Sequence, residues 1–277
     1  MTWQRETPMS IIAERDGPVT ILTINRPQAR NAVDIATAQA LFDAFAAAER
    51  DDDVLAIVLT GAEGAFCSGA DLKALAARRM DDAPPQKRGQ QAPMGPSRLL
   101  SDRKTPEPDI SLSKPLIAAV EGHAVAGGLE LALLADMRVA SETAVFGVYC
   151  RRWGVPLIDG GTYRLPRIVG MGRAMDMILT GRAVDAQEAL AWGLANRLVK
   201  AGEARAAAVQ LAKEIARFPQ ACLRADRASA YAGWSAGMLE GLKAEARRGA
   251  PVIAIESRTG AARFAGGKGR GGDFGEI

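Results

Sequence analysis

The strongest constraint on the fold is the run Val54-Leu-Ala-Ile-Val-Leu-Thr60, which carries no charged residue. A strand with one wet face alternates polar and apolar residues, whereas an unbroken apolar run of this length marks a strand buried on both faces. Such a strand belongs inside a parallel sheet covered by helices. Lys114-Pro-Leu-Ile-Ala-Ala-Val120 repeats the pattern. Upstream, Ile11–Arg15 and Val19–Ile24 are β-branched segments around Asp16-Gly17-Pro18, which predicts a hairpin. Asp34 is a good N-cap for the Ala-rich segment Ile35–Arg50, so a helix is expected there. Strand, helix, strand predicts crossover connections and an α/β fold.

From about Gly161 the patterning turns helical, with helices expected at Met171–Thr180, Asp185–Trp192, Glu203–Phe218, Gln220–Ala232 and Ser235–Arg248, and no convincing strand. Residues 80–113 hold six or more prolines and glycines among many charges and few apolar residues. That is longer than the ~12–15 residues usual for a structureless loop, so the segment is a lid, an insertion, or the home of a short helix near Arg98–Arg103. The tail Gly266-Gly-Lys-Gly-Arg-Gly-Gly272 is flexible by composition.

Composition narrows the function classes. The chain has 35 Lys plus Arg against 32 Asp plus Glu, a net charge of +3, with 48% hydrophobic and 24% charged residues. This is ordinary soluble-protein composition without the clustered basic stripe that nucleic acid requires. Cys67, Cys150 and Cys222 are far apart and His123 is the one histidine, so no metal site or disulfide framework is expected. The N-terminal Met1-Thr-Trp-Gln-Arg-Glu-Thr-Pro8 carries charge and proline where a secretory signal needs apolar residues, and no stretch reaches the ~18 apolar residues of a membrane span. A cytoplasmic protein is the expectation. No G-x-G-x-x-G follows a strand and no phosphate-loop sequence is present, so no bound cofactor is expected.

Two glycine turns follow the buried strands. In Gly64-Ala-Phe-Cys-Ser-Gly-Ala-Asp-Leu-Lys73, Gly69 can take positive φ and Asp71 can cap a helix starting at Leu72, which exposes backbone N–H groups around Ala70. In Glu121-Gly-His-Ala-Val-Ala-Gly-Gly-Leu-Glu-Leu-Ala132, Gly127-Gly128 permits close backbone approach and Glu130 lies in the first helical turn. Each has an ordinary structural explanation alone. Together they match an oxyanion hole beside an acid/base.

At these residues the chain resembles the crotonase family, the enoyl-CoA hydratases and isomerases. The resemblance runs through Asn25-Arg-Pro-Gln-Ala-Arg-Asn-Ala32, Phe66–Leu72, Lys114–Glu130, Phe146-Gly147 and Gly181–Leu194, nearly the whole chain. It implies a spiral of ββα units over residues 1–200, then a helical trimerisation region over 201–277 with a flexible tail. It further implies an acyl-CoA thioester substrate, an enolate stabilised by the N–H groups of Ala70 and Gly127, and a homotrimer or dimer of trimers. CoA contacts are implied at Ala29, Arg30 and Ala32 and at the backbone of Ala70, Asp71 and Leu72. For Arg30, a phosphate contact and a solvated surface arginine remain equally open.

The pattern breaks at one place. Hydratases of this family use two glutamates; Glu130 matches the first, but Cys150 occupies the second position. A thiol is a poor replacement for a carboxylate in positioning water. Asp159, before Gly160-Gly161, is the expected substitute, although its position is one residue beyond that of the catalytic aspartate in relatives with other reactions. Its ordinary reading is a helix cap. The expected function is hydration of a 2-enoyl-CoA by the Glu130/Asp159 pair, with double-bond isomerisation or another thioester reaction on the same scaffold as the alternative. A CoA-binding or RNA-binding relative without turnover is the alternative from a different class.

Overall fold

A computed structural model describes residues 9–77 and 112–269. The 80–113 segment lies outside these residues except for Leu112 and Ser113, as does the tail from residue 270. Strands β1 (Ile11–Asp16) and β2 (Val19–Ile24) form the expected antiparallel hairpin, closed by Gly17 at φ 60°. Helix α1 (Ile35–Arg50) starts where Asp34 accepts the Thr37 N–H, and it leads to β3 (Ala56–Gly61), parallel to β2. After the short α2 (Leu72–Ala77) come β4 (Leu116–Val120), β5 (His123–Val125), α3 (Gly127–Leu134), β6 (Met137–Ser141) and β7 (Val145–Gly147).

The remaining elements are a 3-10 turn at Tyr149–Trp153, α4 (Gly161–Val169), α5 (Met171–Thr180), β8 (Ala183–Asp185), α6 (Ala186–Trp192) and β9 (Arg197–Val199). Helices α7 (Ala204–Ala216), α8 (Gln220–Gly233), α9 (Met238–Val252) and α10 (Arg258–Ala265) complete the helical region. The expectation of no strand after Gly161 is corrected by β8 and β9. Both have only three residues, too few to show a period of two.

Two sheets result. The larger has the order β1-β2-β3-β4-β6-β9 and is parallel apart from the first hairpin; the smaller has the order β5-β7-β8. Alternate residues of the large sheet enter opposite cores, as its double burial requires. Leu22, Ile57, Leu59 and Leu116 meet Leu41 and Phe45 of α1 and Leu129 of α3 on one side. Val19, Val58, Ile117 and Val139 meet Ala204, Ala208 and Leu211 of α7 on the other. The first helix beyond residue 200 therefore covers the sheet. Lys114, buried before β4, donates to the carbonyls of Ala48 and Asp51 at the end of α1, satisfying acceptors that the helix leaves open.

What positions the site is the contact between the two sheets' connecting turns. Cys67 and Ala124 form a parallel bridge, with the Cys67 N–H donating to the His123 carbonyl and the Val125 N–H to the Cys67 carbonyl. A Cβ at Gly128 would lie 2.0 Å from that same Cys67 carbonyl oxygen. We predict that Gly128→Ala lowers stability in urea unfolding by about 3 kcal/mol or more, because the clash is with fixed backbone and not with a side chain able to move.

Candidate active site

Val33 and Ala70 form a second isolated bridge, in which the Val33 N–H donates to the Gly69 carbonyl and the Asp71 N–H to the Val33 carbonyl. The Asp71 carboxylate caps α2 through the N–H groups of Lys73 and Ala74 and pairs with Arg26 at 3.0 Å. Burial opposes ionisation of Asp71, but these hydrogen bonds and the Arg26 charge outweigh it and hold the carboxyl below its usual range. Gly69, at φ 94°, sits so close to the other turn that a Cβ there would lie 2.8 Å from the Gly127 nitrogen. Ala126 adopts φ 54°, a strained value for alanine, as its own N–H bonds the Gly147 carbonyl. The N–H groups of Gly69, Asp71 and Ala126 are thus occupied, whereas those of Ala70 and Gly127, the latter at the open start of α3, have no acceptor among the described residues. Both residues line one cavity.

Glu130 reaches that cavity because α3 is apolar all round and buried along its length, carrying the carboxylate inside with it. The side chain is 3% exposed. Its Oε1 accepts the N–H of Asp159 at 2.9 Å and of Gly161 at 2.8 Å, at the start of α4. A Cβ on Gly161 would fall 2.9 Å from Oε1, so the glycine makes this approach possible. Burial is the largest influence on Glu130 and the two N–H bonds only partly offset it; with the nearby Asp159 charge, the carboxyl is pushed up to about 7. Oε2 accepts neither bond.

Asp159 also lines the cavity, 6% exposed. Its reading as the helix cap does not describe α4, whose N-cap is Gly160 without a side-chain cap bond. Cys150 is buried in the 3-10 turn and faces the same space; burial and the Glu130 charge raise its thiol, which therefore stays neutral. The cavity has a volume of about 300 Å³. Arg30, Ala70, Asp71 and Leu72 line it, whereas Ala29 and Ala32 do not; the carbonyl of Ala32 is taken by Arg26. Arg30 is exposed at the rim.

Several residues here escaped sequence reasoning. The exposed His123 lines the cavity, as do Tyr149 and Trp153. Asn31, buried at φ 57°, accepts the Arg26 N–H and donates to the carbonyls of Ala62 and Ala65, fixing the loop that carries Arg30. Its signal was available, since asparagine tolerates left-handed backbone better than most residues. Among the described residues no cluster of side chains could hold a metal ion, and no helix is long and apolar enough to cross a membrane.

Comparison with known proteins agrees with this geometry. The sequence pattern of the enoyl-CoA hydratase/isomerase family matches residues 14–267. The chain is 39% identical over 213 residues to enoyl-CoA hydratase EchA19 of Mycobacterium tuberculosis, covering 76% of each chain. It is 37% identical to the short-chain-enoyl-CoA hydratase of Clostridium acetobutylicum, over 74% of this chain and 75% of that protein. The crystal structure of an enoyl-CoA hydratase from M. tuberculosis H37Rv superposes with a TM-score of 0.81 at 33% identity, over 93% of this chain and 96% of that one.

The raised carboxyl of Glu130 has a consequence for stability. The unfolded chain releases this proton near 4.5 and the folded one near 7, so the folded state holds an extra proton between those values and loses stability as pH rises through them. Glu130→Gln removes this loss. Thermal unfolding is expected to show the variant gaining on wild type by about 3 kcal/mol between pH 4.5 and 8.

Proposed function

The chain belongs to the enoyl-CoA hydratase/isomerase family, and we propose that it adds water across the α,β double bond of a 2-enoyl-CoA. The observation that carries this reading is a pair of acceptor-free N–H groups, Ala70 and Gly127, in one cavity with two buried carboxylates. The thioester oxygen takes hydrogen bonds from the two donors. Water sits between Glu130 and Asp159; one carboxylate removes a proton as the water oxygen bonds to the β-carbon, and the electron pair of the double bond moves through the α-carbon onto the thioester oxygen. A proton delivered to the α-carbon then collapses the enolate to a 3-hydroxyacyl-CoA. The reaction as written balances without a cofactor or metal.

Preorganised donors stabilise the developing oxyanion without protein rearrangement, an effect of about 3–4 kcal/mol per donor in comparable sites. A Glu130 carboxyl near 7 suits proton transfer in both directions at neutral pH. With Cys150 neutral, the second carboxylate is Asp159. The CoA portion lies along Arg30 and the backbone of Ala70, Asp71 and Leu72, which line the cavity as Ala29 and Ala32 do not. A homotrimer or dimer of trimers accounts for the exposed Met238, Leu239, Leu242, Ile253, Ile255 and Phe264 of the C-terminal helices. The enzyme acts in the cytoplasm.

Hydration of crotonyl-CoA, followed by loss of its enoyl-thioester absorbance, tests this reading. Glu130→Gln and Asp159→Asn are each expected to lose at least ~100-fold in kcat, and Cys150→Ala to stay within about tenfold of wild type. Binding of crotonyl-CoA by wild type without turnover would point instead to isomerisation or another thioester reaction.

A further inference from the structure

Arg164 is a buried cation that neither the proposed chemistry nor the packing accounts for. It stands in the first turn of α4 and is 5% exposed. Arg138 shows what a structural buried arginine looks like here: its guanidinium donates to the carbonyls of Leu194, Ala132 and Ala135 and to the Asn196 side chain. Arg164 makes one hydrogen bond, from Nη1 to the Asp159 carbonyl at 2.9 Å, and no contact ion pair among the described residues. Burying a guanidinium so sparsely bonded is costly unless nearby negative charge offsets it.

The negative charge available is the candidate site. The charged and titratable groups facing Arg164 are Glu130 from α3, Asp159 from the preceding loop, Tyr163 on its own helix and Tyr231 from α8. Tyr231 is already committed, donating to Asp136 at 2.7 Å, and Asp136 also takes Arg227 at 2.8 Å. Cys150 is the further group facing Glu130. The guanidinium lies against Gly160, where a Cβ would be 2.0 Å from Nη1 and 3.0 Å from Cζ. It thus bears on the short stretch whose N–H groups at Asp159 and Gly161 hold Glu130.

We propose that Arg164 is a positioning residue for the carboxylate pair. Its bond to the Asp159 carbonyl keeps the two N–H groups aimed at Glu130, and its charge sustains the ionised form of Glu130 that water activation uses. The second part rests on the hydratase reading. Gly160 and Gly161 are both needed, one to admit the guanidinium and the other to admit the carboxylate.

The test combines a readout independent of turnover with one that depends on it, in variants checked for folding by circular dichroism. Carboxyl NMR with 13C-labelled glutamate, the Glu130 signal assigned by its absence in Glu130→Gln, follows the titration directly. Arg164→Met is expected to raise the Glu130 midpoint by about one pH unit, while Arg164→Lys leaves it near the wild-type value. In the crotonyl-CoA assay Arg164→Met is expected to lose at least ~10-fold in kcat at pH 7 with little change in KM, and to recover part of it at higher pH. Should Arg164→Met fail to fold, Arg164→Gln, which keeps a donor for the carbonyl but not the charge, carries the same expectation. An unmoved midpoint and pH profile in a folded, uncharged variant overturns the proposal while leaving hydration intact. A moved midpoint in a protein that does not hydrate crotonyl-CoA supports the positioning role and overturns the hydratase reading.

Discussion

The bridge between Cys67 and Ala124 joins the turn after β3 of the larger sheet to β5 of the smaller one, and the candidate oxyanion site exists only because they meet. Two hydrogen bonds fix the separation of the turns, while Gly128 and Gly69 let their backbones approach more closely than any Cβ would allow. The donors at Ala70 and Gly127 are then held by the whole fold and not by local loop preference. Ala126 at φ 54° shows that the surroundings impose conformation here, since alanine would not choose it.

The same economy governs Glu130. An all-apolar helix carries its carboxylate into the interior, where burial disfavours charge, and the start of α4 returns two N–H bonds that favour it. The balance leaves Glu130 near 7, a value neither influence alone would produce. One oxygen accepts the N–H groups of both Asp159 and Gly161, which orients the carboxylate. The loop from Asp159 to Gly161 therefore does two things at once: it anchors Glu130 and places the Asp159 carboxylate at the same cavity.

Much of this was legible in the sequence. The apolar runs before Thr60 and Val120 marked the central strands, Asp34 marked the start of α1, and the glycines after both strands marked the turns that meet. Strands β5, β7, β8 and β9 were not legible, because three residues cannot display a period and their pairing is decided by distant partners. Asp159 could be singled out through Gly160-Gly161 beside it and through its place near the aspartate position of related enzymes. That it faces Glu130, and that Arg164 lies behind both, depends on how α3 and α4 pack, which no local pattern encodes.

In the proposed reaction the Ala70 and Gly127 N–H groups polarise a thioester carbonyl. Isotope-edited vibrational spectroscopy of a bound acyl-CoA carrying 13C at that carbonyl measures this directly, since hydrogen bonding from two fixed donors weakens the C=O bond. The carbonyl band is expected at clearly lower frequency than in water, and the shift is expected to be retained in Glu130→Gln, whose backbone donors are intact. A band at the same frequency bound and free would contradict it.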